Sequence, residues 1–455
     1  MIVCKFGGTS VGDPAAIGRV VAIVRTRVPE RPLVVVSALA GVTDALLGLA
    51  APIAAGDRAA AAAGLEAVVR RHEETARTLE LPPHVAAEIR DEAWQAGGWL
   101  AAAAGRSLEP AELDALAGRG ELWSSRLVAA ALERAGLPGA WVDVREVMVT
   151  DGGFSRARPD REALALRGPR VFGPLLQAGR IPVTQGFIGA TLDGHPTTLG
   201  RGGSDFTAAL LGAALQAGRV EIWTDVDGLM TADPRIVPDA RLLPVASHHE
   251  AAELATFGAK VLHPATQAPL VEAGIPCVVL NSFSPERPGT TIVAGAKPQP
   301  VGDSPVRAIS IKRNVTVLNL RAPRMLGEVG FLRALFEVFE RHEVAVDVVS
   351  TSEVNVSLTI DDPACLEALC RDLGQLGQVR VFEQRAIVAV VGIGLRGTKG
   401  LAARIFSAIR SINVEVISQG ASEINVTLVV EDQHGPEAVR LLHREFFGEA
   451  AGAAA

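Results

Sequence analysis

The chain alternates short, uninterrupted apolar runs with longer segments in which apolar residues recur at helical spacing. The apolar runs are residues 1–6 (MIVCKF), 31–38 (RPLVVVSA), 141–149, 181–188 (IPVTQGFI) and 219–223 (RVEIW). Strands that are buried on both faces have this character, and their alternation with helices predicts a parallel α/β sheet. In such a sheet, ligands bind beyond the carboxyl ends of the strands.

The first apolar run leads directly into a glycine turn and then a helix. Gly7 and Gly8 follow the run, Asp13 is a good N-cap, and Pro14 suits the first position of a helix that extends to about residue 27. Backbone N–H groups and the helix dipole can attract an anion here, and Lys5 can supply a full positive charge. An ordinary strand-to-helix connection explains this stretch equally well.

Residues 44–138 are predicted to be helical, with breaks at Pro82-Pro83 and Pro110. Within them, Glu121, Ser124 and Ser125 are separated by helical offsets and therefore share one face near a helix start. That face could serve a site or simply be solvated.

A second glycine-rich loop occupies residues 197–206 (TTLGRGGSDF) and runs into an apolar helix at 207–215. Arg201 and Asp205 place opposite charges at the start of this helix, and Ser204 can cap it. A cation in such a loop is suited to clamp a carboxylate or a phosphate. The alternative is a surface turn.

Acidic and polar residues follow the apolar run at 219–223. Thr224 and Asp225 begin the sequence TDVDG, and Arg235 ends the sequence TADPR at 231–235. Such groups at a strand end suit a nucleotide ribose or a metal-bound phosphate, although Asp-x-Asp-Gly is also common in turns. Further along, residues 257–264 (FGAKVLHP) contribute Lys260.

The last third of the chain contains an internal repeat at an offset of 70 residues. Residues 330–332 match 400–402, and residues 352–358 (SEVNVSL) match 422–428 (SEINVTL). Each copy predicts a small α+β domain of the β-α-β-β-α-β kind. The repeat also argues against reading the Gly-x-Gly-x-x-Gly motif at 392–397 as a dinucleotide site.

Composition narrows the possible functions. The 455-residue chain has a formal net charge of −7 and no basic, aromatic-studded stripe, which argues against nucleic acid as a partner. No charged leader or membrane-length apolar stretch is visible, so we expect a cytoplasmic protein without membrane contact. The four cysteines lack zinc-type spacing, and we expect no metal site built by the protein alone.

Four motifs in this order resemble the aspartate kinase (aspartokinase) family of amino acid kinases. They are Lys5-Phe6-Gly7-Gly8-Thr9-Ser10, Gly200-Arg201-Gly202-Gly203-Ser204-Asp205, Thr224-Asp225-Val226-Asp227-Gly228 and Phe257-Gly258-Ala259-Lys260. The resemblance covers essentially the whole chain, because the C-terminal repeat is similar to the paired ACT regulatory domains of that family. The monofunctional, lysine-sensitive class is the most similar.

The resemblance implies a parallel-sheet, three-layer sandwich of the amino acid kinase type followed by two ferredoxin-like ACT domains. The implied segments are a kinase domain at 1–284, a linker at 285–306, ACT-like repeats at 307–383 and 384–447, and a disordered tail at 448–455. A homodimer or a higher homo-oligomer through the ACT domains is implied.

The implied activity is ATP-dependent phosphorylation of the β-carboxylate of L-aspartate to 4-phospho-L-aspartate, the first step of lysine, threonine, methionine and diaminopimelate biosynthesis. The implied catalytic residues are Lys5 and Asp205, and the substrate residues are Thr43, Glu121, Arg201 and Ser204. ATP, with Mg²⁺ carried on the nucleotide, would be bound by Lys5, Gly7, Gly8, Thr224, Asp225, Met230, Arg235 and Lys260. Met230 stands where the family often has a tyrosine, and this chain contains no Tyr.

Feedback by lysine is the implied regulation. The implied effector residues are Met325, Gly330, Phe331, Leu332, Val346, Asp347, Thr351, Ser352 and Glu353. Glu328 stands where the lysine-sensitive class tends to have a small hydroxyl residue. Two other hypotheses remain open, namely a non-catalytic ACT-containing amino acid sensor and a kinase for another amino acid carboxylate.

Overall fold

The computed structural model describes residues 1–258, 264–294, 304–361, 365–420 and 422–448. Its helices are α1 Pro14–Arg27, α2 Val42–Leu47, α3 Ala50–Ala54, α4 Arg58–Thr78, α5 Pro83–Ala103, α6 Pro110–Ala117, α7 Arg119–Arg134, α8 Arg161–Gln177, α9 Gly203–Ala214, α10 His248–Thr256, α11 Pro264–Ala273, α12 Phe331–Arg341, α13 Leu366–Leu373, α14 Leu401–Ala408 and α15 Gly435–Phe447. Its strands are β1 Ile2–Phe6, β2 Pro32–Val36, β3 Gly139–Trp141, β4 Ile181–Gln185, β5 Ile188–Ala190, β6 Pro196–Thr198, β7 Val220–Thr224, β8 Val245–Ser247, β9 Cys277–Asn281, β10 Thr290–Val293, β11 Val306–Arg321, β12 Val346–Thr351, β13 Asn355–Asp361, β14 Gln378–Gly392, β15 Val416–Gln419 and β16 Asn425–Glu431.

The described residues divide into two units. The first unit consists of described residues in 1–229, 244–248 and 264–294, and the second consists of those in 230–243, 249–258 and 304–448.

The first unit is built on a mostly parallel sheet. Among the described residues, its strand order is β3-β4-β2-β1-β7-β9-β10-β8, and only the β9–β10 pair is antiparallel. All five residues of β1 and of β2 are buried, as are those of β4. Because these runs are apolar on both faces, they can lie in the middle of a covered sheet. The predicted α/β architecture is confirmed.

Two of the predicted strands are wrong in detail. The run at 141–149 gives a strand only to Trp141, because the Asp143 carboxylate accepts the N–H of Arg145 and closes a 3-10 turn at Val144–Glu146. The run at 181–188 is interrupted after Gln185, where the N–H of Gly186 bonds to the carbonyl of Val36. The chain therefore turns at that point, beside the carboxyl end of β2.

The second unit confirms the repeat. Its antiparallel sheet has the strand order β12-β13-β11-β14-β16-β15 within the described ranges. Strands β13 and β16 begin and end 70 residues apart, and helices α12 and α14 begin at the same offset. Two α+β modules thus lie side by side in one sheet.

The prediction that the two ACT-like repeats follow one another, at 307–383 and 384–447, needs correction. The two modules are not consecutive in sequence. Strand β11 is shared: its first half pairs with the second half of β14, and its second half pairs with β13. Val306 and Ile309 pack with helices α14 and α15, whereas Leu318 and Leu320 pack with helix α12. The second module therefore takes its first strand from upstream of the first module.

The boundary at residue 284 also needs correction. Strand β10, Thr290–Val293, pairs with β9 and β8 in the sheet of the first unit. Part of the predicted linker 285–306 therefore belongs to this sheet. Residues 295–303 of the linker and residues 449–455 of the predicted tail lie outside the described ranges.

Candidate active site

Lys5 lies near the carboxyl end of the central strand of the first unit. Strand β1 pairs in parallel with β2 on one side and with β7 on the other. After Phe6 the chain turns, and the N–H of Gly7 donates to the carbonyl of Trp223 at 3.2 Å. Since parallel strands end at the same edge, the side chain of Lys5 reaches the edge at which ligands bind in such sheets.

Asp205 balances the charge of Lys5. The Lys5 Nζ lies 2.5 Å from the Asp205 Oδ1, and only 10% and 16% of the two side chains are exposed. Asp205 lies in the first turn of α9, where a carboxylate interacts favourably with the helix dipole. The glycine turns predicted from separate parts of the chain therefore bring a cation and an acid into direct contact.

Glu121 is a buried acid with one free oxygen. It lies on α7, where Oε1 accepts the N–H of Ala38 at 3.3 Å, while Oε2 has no hydrogen-bond partner in the described part of the chain. Burial raises the pKa of Glu121 to about 8, against the lowering effect of the Ala38 N–H. Near neutral pH the carboxyl is therefore mostly protonated, and a cationic ligand group would restore its charge.

The neighbouring serines are used in packing. Ser124 Oγ donates to the carbonyl of Ser37 at 2.7 Å. Ser125 Oγ accepts from both the Trp141 indole and the Gln185 amide, at 2.9 and 2.8 Å. The polar face of α7 is buried rather than solvated, because it anchors this helix to the ends of β2 and β4.

Lys5, Asp205 and Glu121 line one cleft of ≈ 680 Å³. The predicted residues that it brings together are Lys5, Thr43, Glu121, Arg201, Ser204 and Asp205. Arg201 is exposed, and within the described residues its side chain forms no ion pair. The lysine of the first glycine turn and the arginine of the second therefore line the same cleft.

Other residues of this cleft were not singled out as site residues. They are Ser37, Asp44, Asp114, Ser155, Phe187 and Thr198. Asp114 lies on α6 and Glu121 on α7, so no periodicity within one helix indicated that the two acids share a cleft. Phe187 has a positive φ of 69° and bonds through its N–H to the Thr207 hydroxyl, a tertiary arrangement with no local sequence pattern.

The predicted nucleotide residues fall in several places. Gly7 and Gly8 follow β1, and a Cβ on Gly8 would lie only 3.0 Å from the Ala38 carbonyl oxygen, so a side chain here would crowd the neighbouring backbone. Thr224 ends β7, and its hydroxyl donates to the Asp225 carboxylate at 3.2 Å. This close backbone approach and this hydroxyl suit the phosphates and ribose of a nucleotide.

Two further nucleotide candidates, Met230 and Arg235, belong to the second unit. Met230 forms an isolated bridge with Leu242, and the exposed guanidinium of Arg235 contacts the Asp233 carboxylate at 2.7 Å, all within the second unit. Lys260 lies outside the described residues.

The predicted effector residues surround the helix α12 and strand β12 of the first ACT-like module. Met325 ends the 3-10 turn Pro323–Met325, and Gly330 precedes α12 with a left-handed φ of 90°. At the start of α12, Phe331 is buried and Leu332 is exposed. Val346, Asp347 and Thr351 belong to β12, and Ser352 and Glu353 lie in the turn that follows it.

Asp347 is already paired with a lysine of the chain itself. The Lys312 Nζ lies 2.8 Å from a carboxylate oxygen of Asp347 and 2.8 Å from one of Asp361. In the second module, the residue at the position of Asp347 is Ile417, which cannot bind an ammonium. The two modules therefore differ at the position predicted to recognise the effector.

The described residues hold no group of three or more His, Cys, Asp or Glu side chains arranged to bind a metal ion. Among the helices of the described ranges, none combines the length and the apolar character that a membrane span requires.

The comparisons with known proteins agree with this architecture. The model of the amino acid kinase family matches residues 1–281, and a model of the ACT domain matches residues 388–446. The chain is 39% identical over 455 residues to lysine-sensitive aspartokinase 3 of Escherichia coli (strain K12), covering 98% of this chain and 99% of that protein. It is 34% identical to chloroplastic aspartokinase 1 of Arabidopsis thaliana, covering 98% and 80% of the two chains.

Solved structures agree in fold. The crystal structure of E. coli aspartokinase III in complex with aspartate and ADP (R-state) superposes with a TM-score of 0.86 at 38% identity, covering 98% of this chain and 100% of that one. The structure of the same protein in complex with lysine and aspartate (T-state) gives a TM-score of 0.83 at 38% identity, covering 98% and 99%.

Proposed function

Because the chain belongs to the amino acid kinase family, and within it to the aspartokinases, we propose that it phosphorylates the β-carboxylate of L-aspartate with ATP. The observation that carries this proposal is the convergence of Lys5, Asp205, Glu121 and Arg201 on one cleft. The cleft offers two cations for anionic groups and one uncharged acid for a cationic group. Free aspartate carries an α-carboxylate that suits Arg201 and an ammonium that suits Glu121, which leaves Lys5 for the phosphoryl group.

The reaction needs little covalent help from the protein. An aspartate side chain with a pKa near 3.9 is ionised at pH 7, so its carboxylate oxygen can attack the γ-phosphorus without a general base. The new bond joins this oxygen to phosphorus, the bond from phosphorus to the β–γ bridging oxygen breaks, and ADP leaves with that electron pair. Catalysis then depends on positioning and on neutralising negative charge.

Each cleft residue has a role in this scheme. Lys5 neutralises charge on the transferring phosphoryl group, and Asp205 holds the Lys5 ammonium until the nucleotide arrives. Arg201 binds the α-carboxylate of the substrate, and Glu121 accepts its α-ammonium. Thr43 and Ser204 complete the pocket with hydroxyl groups.

The nucleotide would be held by the turn at Gly7 and Gly8 and by Thr224 and Asp225. The missing side chain at Gly8 and the hydroxyl at the end of β7 support this assignment. Met230, Arg235 and Lys260 remain predicted contacts. Mg²⁺ would arrive with ATP, as expected of an ion that prefers few protein ligands together with phosphate oxygens.

Lysine is the proposed feedback effector. The relative in the T-state structure is complexed with lysine, and Asp347 of this chain already binds an alkyl ammonium, that of Lys312. A free lysine would have to take the place of that side chain. Self-association through the second unit and a cytoplasmic location stay predictions.

Trapping the product tests the activity. Purified protein with ATP, Mg²⁺ and L-aspartate should form an acyl phosphate, which hydroxylamine converts to a hydroxamate that gives a coloured complex with Fe³⁺. L-glutamate in place of L-aspartate provides the matched control. Equal or greater product with glutamate would favour a kinase for another carboxylate, and no product with either would favour a sensor.

A further inference from the structure

Asp114 is a buried acid in the same cleft to which the scheme above gives no role. It lies on α6, is 3% exposed, and lines the cleft together with Glu121 and Arg201. Within the described residues it forms no ion pair, so its burial is compensated by neutral donors alone. A buried carboxylate requires such compensation, since an unpaired charge is costly.

Four donors from two segments satisfy the carboxylate of Asp114. Its Oδ2 accepts the N–H groups of Ser155 and Thr198, both at 2.8 Å. Its Oδ1 accepts the hydroxyl of Thr198 at 2.9 Å and lies 3.5 Å from the hydroxyl of Ser155. Because both oxygens are occupied, Asp114 is not available to bind the substrate, and it acts as a junction between the two segments.

The two segments also meet at the turn that carries Arg201, in the second glycine-rich loop. Thr198 ends β6, three residues before Arg201. Gly200 has a φ of 74°, and a Cβ there would lie 3.0 Å from the carbonyl oxygen of Ser155. The turn thus rests on the segment that Asp114 holds.

Backbone bonds complete the turn. The N–H of Leu199 donates to the Phe187 carbonyl at 2.8 Å, and that of Gly203 donates to the Gly200 carbonyl at 2.9 Å. Since Arg201 has no ion pair of its own among the described residues, the direction of its side chain depends on the backbone that carries it.

We propose that Asp114 is a positioning residue, which fixes the Arg201 turn so that its guanidinium is preorganised for the substrate α-carboxylate. This inference rests on the proposed function. It assigns Asp114 to recognition of the amino acid and not to binding of the nucleotide.

Kinetics of Asp114→Ala test the proposal. Loss of all four hydrogen bonds should raise the KM for aspartate about 10- to 100-fold, because a small misplacement of a binding group costs that much. The KM for ATP should stay within about twofold, since the nucleotide groups are not held by this residue. Asp114→Asn is the conservative control: its amide oxygen can accept both N–H groups, and the Thr198 hydroxyl can rotate to accept from its NH₂.

A double-mutant cycle separates positioning from general damage. If Asp114 acts through Arg201, then Asp114→Ala should add less than about threefold to the KM for aspartate in an Arg201→Ala background. Additive effects, an equal rise in the KM for ATP, or an unchanged KM for aspartate would overturn the proposal.

Two further measurements keep the test decisive. If Asp114→Ala fails to fold, Thr198→Val removes a single hydroxyl and should raise the KM for aspartate about three- to tenfold; no change would overturn the proposal. Trypsin cleavage after Arg201 should be faster in Asp114→Ala than in wild type, whether or not the protein phosphorylates aspartate. An inactive wild type would refute the proposed function, whereas an unchanged cleavage rate would overturn the positioning role.

Discussion

Replacing Glu121 with glutamine should stabilise the first unit at neutral pH while abolishing recognition of the substrate ammonium. The wild-type carboxyl is fully buried, and this burial raises its pKa from an ordinary value of 4.5 to about 8. In the unfolded chain the same carboxyl loses its proton near the ordinary value. The folded protein therefore holds a proton that the unfolded chain releases, and its stability falls as the pH rises.

The magnitude follows from this difference in pKa. The stabilising contribution of the proton is fully present below about pH 4.5 and is lost progressively as the pH rises to about 8, at about 1.4 kcal/mol per pH unit. The total is roughly 5 kcal/mol, of which roughly 3 kcal/mol is already lost at pH 7. Glutamine does not titrate, so the difference between the two proteins should change with pH even if the amide costs a constant amount.

Unfolding measured by tryptophan fluorescence isolates the relevant unit. All tryptophans of the chain lie in the first unit, namely Trp94, Trp99, Trp123, Trp141 and Trp223. The free energy of unfolding of Glu121→Gln relative to wild type should increase by roughly 3 to 4 kcal/mol between pH 5 and pH 8. Titrations common to both proteins cancel in this comparison.

Proton release on binding provides a second readout. At pH 7 about 0.9 of the Glu121 carboxyls are protonated, and at pH 9 about 0.1. An ammonium that displaces this proton should release about 0.9 proton per bound aspartate at pH 7, measured by calorimetry in buffers of different ionisation enthalpy. A pH-independent stability difference together with no proton release would refute the reasoning.

Two further substitutions test the charge pairs. Lys5→Ala should lower kcat by two to three orders of magnitude, about the cost of one preorganised electrostatic contact, while the first unit stays folded; a rate near wild type would refute the catalytic assignment. Lys312→Met should lower the lysine concentration for half-inhibition about fivefold, since an ion pair worth about 1 kcal/mol no longer competes for Asp347. Lys312→Arg, which keeps the charge, is its control, and unchanged or weaker inhibition in Lys312→Met would contradict the exchange.

Local patterns were sufficient for most of the elements and for the repeat. The helix α1 begins after Asp13, whose carboxylate accepts the N–H of Ala16 at 2.7 Å, as expected of an N-cap before a proline. The spacing of 70 residues is reproduced by β13 and β16. Each of these features depends on residues that are close in sequence, or on similarity between two stretches of the chain.

Features that depend on distant residues could not be predicted in this way. The second module takes its first strand from upstream of the first module because Ile309 packs into the core of the second module. The neighbours of Ile309 in sequence do not determine which of the two cores it enters. Asp114 gains its role only because Ser155 and Thr198 fold back onto it from 41 and 84 residues away. The strand predicted to reach Val149 failed for a local reason instead, because the Asp143 carboxylate accepts the N–H of Arg145, two residues further along the chain.

The charges of this protein are balanced internally at three of the places where a ligand is expected. Lys5 is held by Asp205, the charge of Glu121 is removed by a proton, and Asp347 is occupied by Lys312. Binding at each place is therefore an exchange of partners, and its free energy is the difference between the new contact and the one given up. Internal pairing therefore lets these ionisable groups lie buried in the ligand-free protein without a large desolvation cost. It also implies that removing an internal partner should tighten binding of a ligand with the same charge as that partner, which is the result expected for Lys312→Met.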